Sequence, residues 1–499
     1  MARPRRRWLV AALLICAATA VIALHQLFRS ATPAPGRRYE PTAAERRFAD
    51  EVTRWVVELN RGPDPRSHRS AALARSVARA FDELVAPGAA RPDPTVRSAF
   101  DELVAQLESL PIGASGSSLS AADTRRLLAR MNGLNRRLAE HAVPILLYAC
   151  TLPSPTRVIL QVYRVTSTIE LDTPRGIVPV RKVTRLDRLN VSLGLIGFQV
   201  HGDAGALPVV LEEQTRQHVI DVILPTLARR ELPLGHGAPD SYREKIGPAA
   251  GAAIAAQLEH RIRSRQGRRA LDGLRRLAGH VADRREIWEQ WRERYSPRLV
   301  FSRIDFLEPP EGGRELPGVP LLERRRFERA QDAISDTSDA NRLVEPLLEW
   351  VALRVARHEV QHYVDQIDPP DVEPGRSLAA RLAARARPPG SGEPLPPALA
   401  ELSAYLAEIA ADPELPSLTW ATLANAAGDR DAGASAAAAA ALLALDALGQ
   451  PQSGAVSDPD RTAATLAAFL ALPPAEQALR ARQAHEAIFG PSSRHHPPR

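Results

Sequence analysis

The stretch NRLVEPLLEWVALRVARHEVQHYVDQI, residues 341–367, reads as one long amphipathic helix, and no other feature constrains the chain as much. Val344, Leu347, Val351 and Val355 recur at helical spacing, and the same stripe runs on into His358 and His362. Residues four apart stand one turn above each other on one face, so the two imidazoles project together toward the core. Burying two polar rings is costly unless both find partners. A shared metal ion satisfies both at once. Zinc suits the pair, because it accepts imidazole nitrogen and completes a tetrahedron with a third protein ligand and a water. Glu359, directly after the first histidine, stands where a carboxylate can take a proton from that water, whose pKa the metal lowers to about 7. With thirteen histidines among 499 residues, His-Glu-x-x-His arises by chance in roughly one chain in fifty of this composition, so the surroundings of the motif have to carry it.

A third ligand has to come from elsewhere, and the acids to weigh are Asp368, Glu401 and Glu408. Asp368 sits where the metzincin pattern would place its last ligand. That pattern requires a glycine where this chain has Asp365, and a methionine turn downstream, yet the only methionines are Met1 and Met131. Asp368 is therefore set aside. The segment PPALAELSAYLAEIAAD, residues 396–412, forms a second helix opened by Pro396 and Pro397, with Glu401, Tyr405, Glu408 and Asp412 recurring along one face.

A His-Glu-x-x-His helix followed by a helix rich in acids resembles the gluzincins, the zinc metallopeptidases whose third ligand is a glutamate from a later helix. The resemblance covers residues 298–490 and rests on about a dozen positions. It implies Zn2+ as cofactor, His358 and His362 as ligands, Glu359 as general base, and protein or peptide as substrate. In such families the later glutamate often opens a Glu-x-x-Ala-(Asp or aromatic) string, and Glu401-Leu402-Ser403-Ala404-Tyr405 has that form, which favours Glu401. Glu408, followed four residues on by Asp412, instead resembles the thermolysin-like branch and stays open as the alternative third ligand. Asp365, near His362 and one turn further along, could accept a hydrogen bond from a ligand histidine and fix its tautomer. Tyr405 could reach the oxyanion of a substrate in the transition state. The alternative to turnover is a binding module of the cell envelope that holds zinc for structure or has lost activity.

Charge and cysteines narrow the remaining classes. The formal charge is +7, but the basic residues are almost all arginine, with lysine only at 182 and 245, and they alternate with acids. No basic patch interleaved with aromatics emerges, which argues against a nucleic-acid partner. Cys150 is the one cysteine outside the first segment, so an intramolecular disulfide is excluded, and its apolar neighbours in ILLYACTL make it an inert buried thiol.

The opening MARPRRRWLVAALLICAATAVIALHQLF has four arginines followed by about twenty apolar residues, long enough to span a bilayer. The positive-inside rule then predicts a single-pass inner-membrane protein attached to the membrane through this helix, with the catalytic part periplasmic. A cleaved signal peptide and secretion is the rival reading, since Ala18-Thr19-Ala20 fits a cleavage site.

Along the chain, the organisation expected is a membrane segment at 1–29, a Pro-rich linker at 30–45, a helical region at 46–142, an α+β region at 143–297, the metallopeptidase domain at 298–490 and a disordered tail at 491–499. The heptad AFDELVA occurs at 80–86 and 99–105, which hints at a helical duplication. From 143 the period changes to β-branched alternation in VPILLYAC, RVILQVYRVTSTIEL and GIVPVRKVTRLDRLNVSLGLIGFQV, and again in LVFSRIDFLE. That region is either the sheet of the catalytic unit or a separate α+β domain. The fold class expected is α+β, predominantly helical, with a zincin-like catalytic domain that combines a small sheet with the motif helix.

Overall fold

The computed structural model describes residues 30–31, 41–61, 69–86, 91–112, 119–153, 156–173, 176–186, 197–200, 207–234, 240–295, 302–303, 320–335, 340–367, 397–427 and 459–489. The chain divides into two compact units, the first built mainly from residues 38–168 and 181–212, the second from 213–499 together with 169–180 and 32–37. Helices predominate and the sheet is small, an α+β architecture.

In the first unit, four helices come from the region where the apolar spacing predicts them: α1 (Ala43–Leu59), α2 (Arg69–Val85), α3 (Pro94–Ser109) and α4 (Ala121–Glu140). Side chains take otherwise unpaired backbone N–H groups at three of their starts. Thr42 and Glu45 form a reciprocal capping box at α1, Asp93 caps α3 ahead of Pro94, and Ser120 caps α4. The repeated heptad has a structural meaning. Phe81 and Phe100, its equivalent aromatics on α2 and α3, stack with ring centroids 4.0 Å apart and planes 9° from parallel. Its equivalent acids, Asp82 and Asp101, both pair with Arg97.

The helices share one core with a five-stranded sheet of β1 (Ile145–Pro153), β2 (Thr156–Thr173), β3 (Gly176–Arg185), β4 (Gly197–Val200) and β5 (Leu207–Leu211). The spatial order is β1-β2-β3-β5-β4. Strands β1 and β2 form an antiparallel hairpin with Ile145 opposite Arg164, β5 runs parallel to β3, and β4 runs antiparallel to β5. The side chain of Asn135 on α4 bonds both the N–H and the C=O of Leu147 at 2.8 Å, fastening helix to strand in a buried place. Of the strand expected at 299–308, the described residues include only Ser302–Arg303, which are extended.

The second unit is helical. It runs through α5 (Glu212–His218), a π-helical turn at Val219–Ile223, α6 (Leu224–Arg229), α7 (Asp240–Gln266), α8 (Arg268–Tyr295) and α9 (Leu321–Ser335). It continues with α10 (Ala340–Ile367), α11 (Pro397–Ala411), α12 (Ser417–Ala427), α13 (Pro459–Leu470) and α14 (Pro474–Phe489). A turn with Gly267 at φ +87 separates α7 from α8, a conformation that side-chain-bearing residues rarely adopt. Gly251 on α7 lies so close to the backbone of Glu231 and Leu232 that a Cβ there would fall 2.3 Å from the Glu231 Cα, so only glycine lets the chain pass. α11 packs on both α10 and α14, and α10 buries Val344, Leu347, Val351 and Val355 as its spacing predicts.

The reading of a membrane-tethered protein is corrected here. Among the described residues no helix is long and apolar enough to cross a membrane. A span needs about twenty consecutive apolar residues. The longest helices, α7, α8 and α10, have 27, 28 and 28 residues, but charged side chains interrupt each of them, and even the uncharged run of α7, residues 246–258, is too short to span. The segment 1–29 on which the expectation rested lies outside the described residues. The single-pass inner-membrane location with a periplasmic catalytic part, and the membrane as a partner, are therefore withdrawn. Asp368 and the tail at 491–499 also lie outside the described residues.

Candidate metal centre

Helical geometry on both sides builds this site. His358 and His362 lie one turn apart on α10, with ring centroids 4.8 Å apart and planes close to perpendicular. On α11, Glu401, Tyr405 and Glu408 recur at spacings of four and three, so they share a face, and that face meets the histidines across the α10–α11 contact. Glu401 reaches both imidazoles: Oε2 is 3.4 Å from His358 Nε2, and Oε1 is 3.5 Å from His362 Nε2. The two Nε2 atoms are 3.2 Å apart. Taking one donor atom per residue, His358, His362 and Glu401 all come within 4.8 Å of one another. The histidine side chains are 14% and 15% exposed and that of Glu401 29%, so the donors are screened but reachable.

Glu408 lies behind this triangle, at the opposite nitrogen. Its Oε2 stands 3.1 Å from His358 Nδ1 and is buried. Its other oxygen, Oε1, accepts from Thr419 Oγ1 at 2.5 Å and forms an ion pair with Arg354, whose Nη1 stands 3.1 Å away. Arg354, one turn before His358 on α10, also donates to the Leu418 carbonyl at 3.3 Å and to Thr422 Oγ1 at 2.7 Å.

The electrostatics follow from two carboxylates converging on one ring. Burial alone would disfavour a charged His358, but hydrogen bonds to Glu401 and Glu408 outweigh it and raise its pKa to about 10. Burial would likewise raise Glu401, yet hydrogen bonds from both imidazoles hold its carboxyl well below the usual range. Glu408 is also pulled down against its burial, chiefly by the Arg354 charge. The space between the carboxylates thus favours positive charge. Glu359 is buried, 7% exposed, and burial raises its pKa. Tyr405 lies against His358, ring centroids 4.9 Å apart, and burial pushes its phenol up, so it stays protonated.

The remaining residues singled out by sequence go elsewhere. Asp365 accepts from Gln361 Nε2 at 2.8 Å, and the carboxylate seen at a histidine Nδ1 is Glu408. Asp412 caps the turn that follows α11 by accepting from the Leu415 N–H at 2.9 Å, and it pairs with Arg261 at 3.1 Å. Arg354, Thr419 and Thr422 were not anticipated. The one signal for Arg354 was a charged residue on the otherwise apolar stripe of α10, which a buried partner has to answer.

Comparison with family models, curated proteins and solved structures gives no match to the chain. The chemistry of the site therefore has to be read from its own geometry.

Proposed function

We propose that the chain is a zinc-dependent metallopeptidase of gluzincin-like type, with the metal held by His358, His362 and Glu401. One observation carries this reading. Ligands about 2.1 Å from a tetrahedral zinc stand about 3.4 Å from one another. Here the two Nε2 atoms are 3.2 Å apart, each lies 3.4–3.5 Å from a different oxygen of Glu401, and one donor atom from each of the three residues falls within 4.8 Å of the others, close enough for a single ion to draw them together. Two imidazoles and a carboxylate are also a donor set that zinc accepts with one position left for water or substrate.

When bound, zinc would supply a Lewis acid for the scissile carbonyl and lower the pKa of a water to about 7. The protein groups supply the proton transfers. The Glu359 carboxylate takes the proton of the attacking water and delivers it to the departing amine nitrogen, and its burial raises its pKa, which strengthens it as a base. Glu408 keeps His358 in one orientation through Nδ1, leaving Nε2 as the metal-facing nitrogen.

The test is metal removal. Phenanthroline treatment of the zinc-loaded full chain is expected to stop cleavage of an unfolded protein substrate, and readdition of zinc to restore it. A zinc-loaded chain that cuts none of a varied set of unfolded substrates would leave a metal-holding module without turnover.

A further inference from the structure

We infer that Arg354 is a positioning residue of this centre: it anchors Glu408 so that the carboxylate presents its second oxygen to His358 Nδ1 and thereby turns His358 Nε2 toward the metal. The inference deepens the metallopeptidase reading and rests on it.

The division of labour between the two Glu408 oxygens is the ground for it. Oε1 takes the Arg354 guanidinium at 3.1 Å and the Thr419 hydroxyl at 2.5 Å, while Oε2 is left to His358 Nδ1 at 3.1 Å. Arginine has no acceptor and an ionised carboxylate has no donor, so the direction along this chain is fixed and Nδ1 is the hydrogen-bearing nitrogen. Nε2, the nitrogen that faces Glu401 and His362, is then the one whose proton a metal ion would replace. Arg354 is itself held in place, because the same Nη1 bonds the Leu418 carbonyl at 3.3 Å and Thr422 Oγ1 at 2.7 Å on α12. Both charges are buried, with side chains 6% and 2% exposed. Buried ion pairs rarely add stability over an apolar pair of similar volume, so stability alone does not account for one placed against a metal-ligating imidazole. Charge points the same way. Arg354 offsets Glu408, so this carboxylate can orient the imidazole without leaving a net negative charge buried behind it.

The test is a Co2+ titration of the metal-free full chain, followed by the visible absorption of the bound ion, with the urea midpoint measured on the same samples. Arg354→Met is expected to bind Co2+ about 10- to 100-fold more weakly than wild type. The double variant Arg354→Met with Glu408→Gln removes both buried charges, so it is expected to recover stability. Its affinity should stay about 10- to 100-fold down, because an amide makes only a neutral, weaker hydrogen bond to Nδ1–H. A purely structural pair would instead regain affinity together with stability. If Arg354→Met does not fold, Arg354→Lys, which keeps the buried charge but lacks the planar guanidinium, is titrated in its place and is expected to bind Co2+ about 10-fold more weakly than wild type. Wild-type Co2+ affinity in any folded variant overturns the inference. A wild type that takes up no Co2+, or a His358→Ala chain that takes it up equally well, overturns the metal centre beneath it.

Discussion

Glu359→Gln is expected to keep the bound metal and lower kcat for peptide cleavage by about 10^2- to 10^4-fold, the range over which general acid–base catalysis contributes. Glutamine matches glutamate in shape, so the α10 packing around this buried position is preserved. What is lost is the ability to take up a proton. His358, His362 and Glu401 make up the donor set without Glu359, so metal content should not move. The loss should fall in kcat rather than KM, because proton transfer is needed only in the transition state. Steady-state kinetics on an internally quenched peptide, with the metal content of the same sample, reads both. A Glu359→Gln chain cleaving at the wild-type rate would remove Glu359 from the reaction.

Glu408→Ala is expected to destabilise the protein by about 3–5 kcal/mol, the usual consequence of removing one partner from a buried ion pair. Arg354 would lose its carboxylate while remaining inside, with the Leu418 carbonyl and the Thr422 hydroxyl left, among the described residues, to accept from its Nη1. Thr419 and His358 Nδ1 would lose their acceptor as well. The urea midpoint followed by tryptophan fluorescence reports the change directly, since Trp420 is fully buried on α12 beside Thr419. A loss below about 1 kcal/mol would mean that the pair behaves like a solvent-exposed one.

How much of this was legible in the sequence differs from element to element. The motif helix was, because the stripe Val344, Leu347, Val351 and Val355 and the i, i+4 histidines are local properties of one helix, and α10 spans Ala340–Ile367 despite Pro346 within it. The repeated AFDELVA heptad was also meaningful: its two phenylalanines and two aspartates occupy equivalent places on α2 and α3. The separate duties of Glu401 and Glu408 were not. They lie two helical turns apart on one face, and which of them meets Nε2 and which meets Nδ1 depends on how α11 is registered against α10. A 29-residue stretch, 368–396, separates the two helices, so no local pattern sets that register. Arg354, Thr419 and Thr422 were missed for the same reason, since their partnership joins α10, α11 and α12. The strands were visible from their alternation, but their company was not. They share a core with the amino-terminal helices, whereas the histidines sit in a helical unit beginning after Glu212.

The most direct measurement is the zinc-to-protein ratio of the purified full chain by elemental analysis, beside His358→Ala and Glu401→Ala. Close to one zinc per wild-type chain is predicted, with near-complete loss in both variants. An equal ratio in all three proteins would contradict a centre built from these side chains, and a loss with His358→Ala but not with Glu401→Ala would take the third ligand away from Glu401.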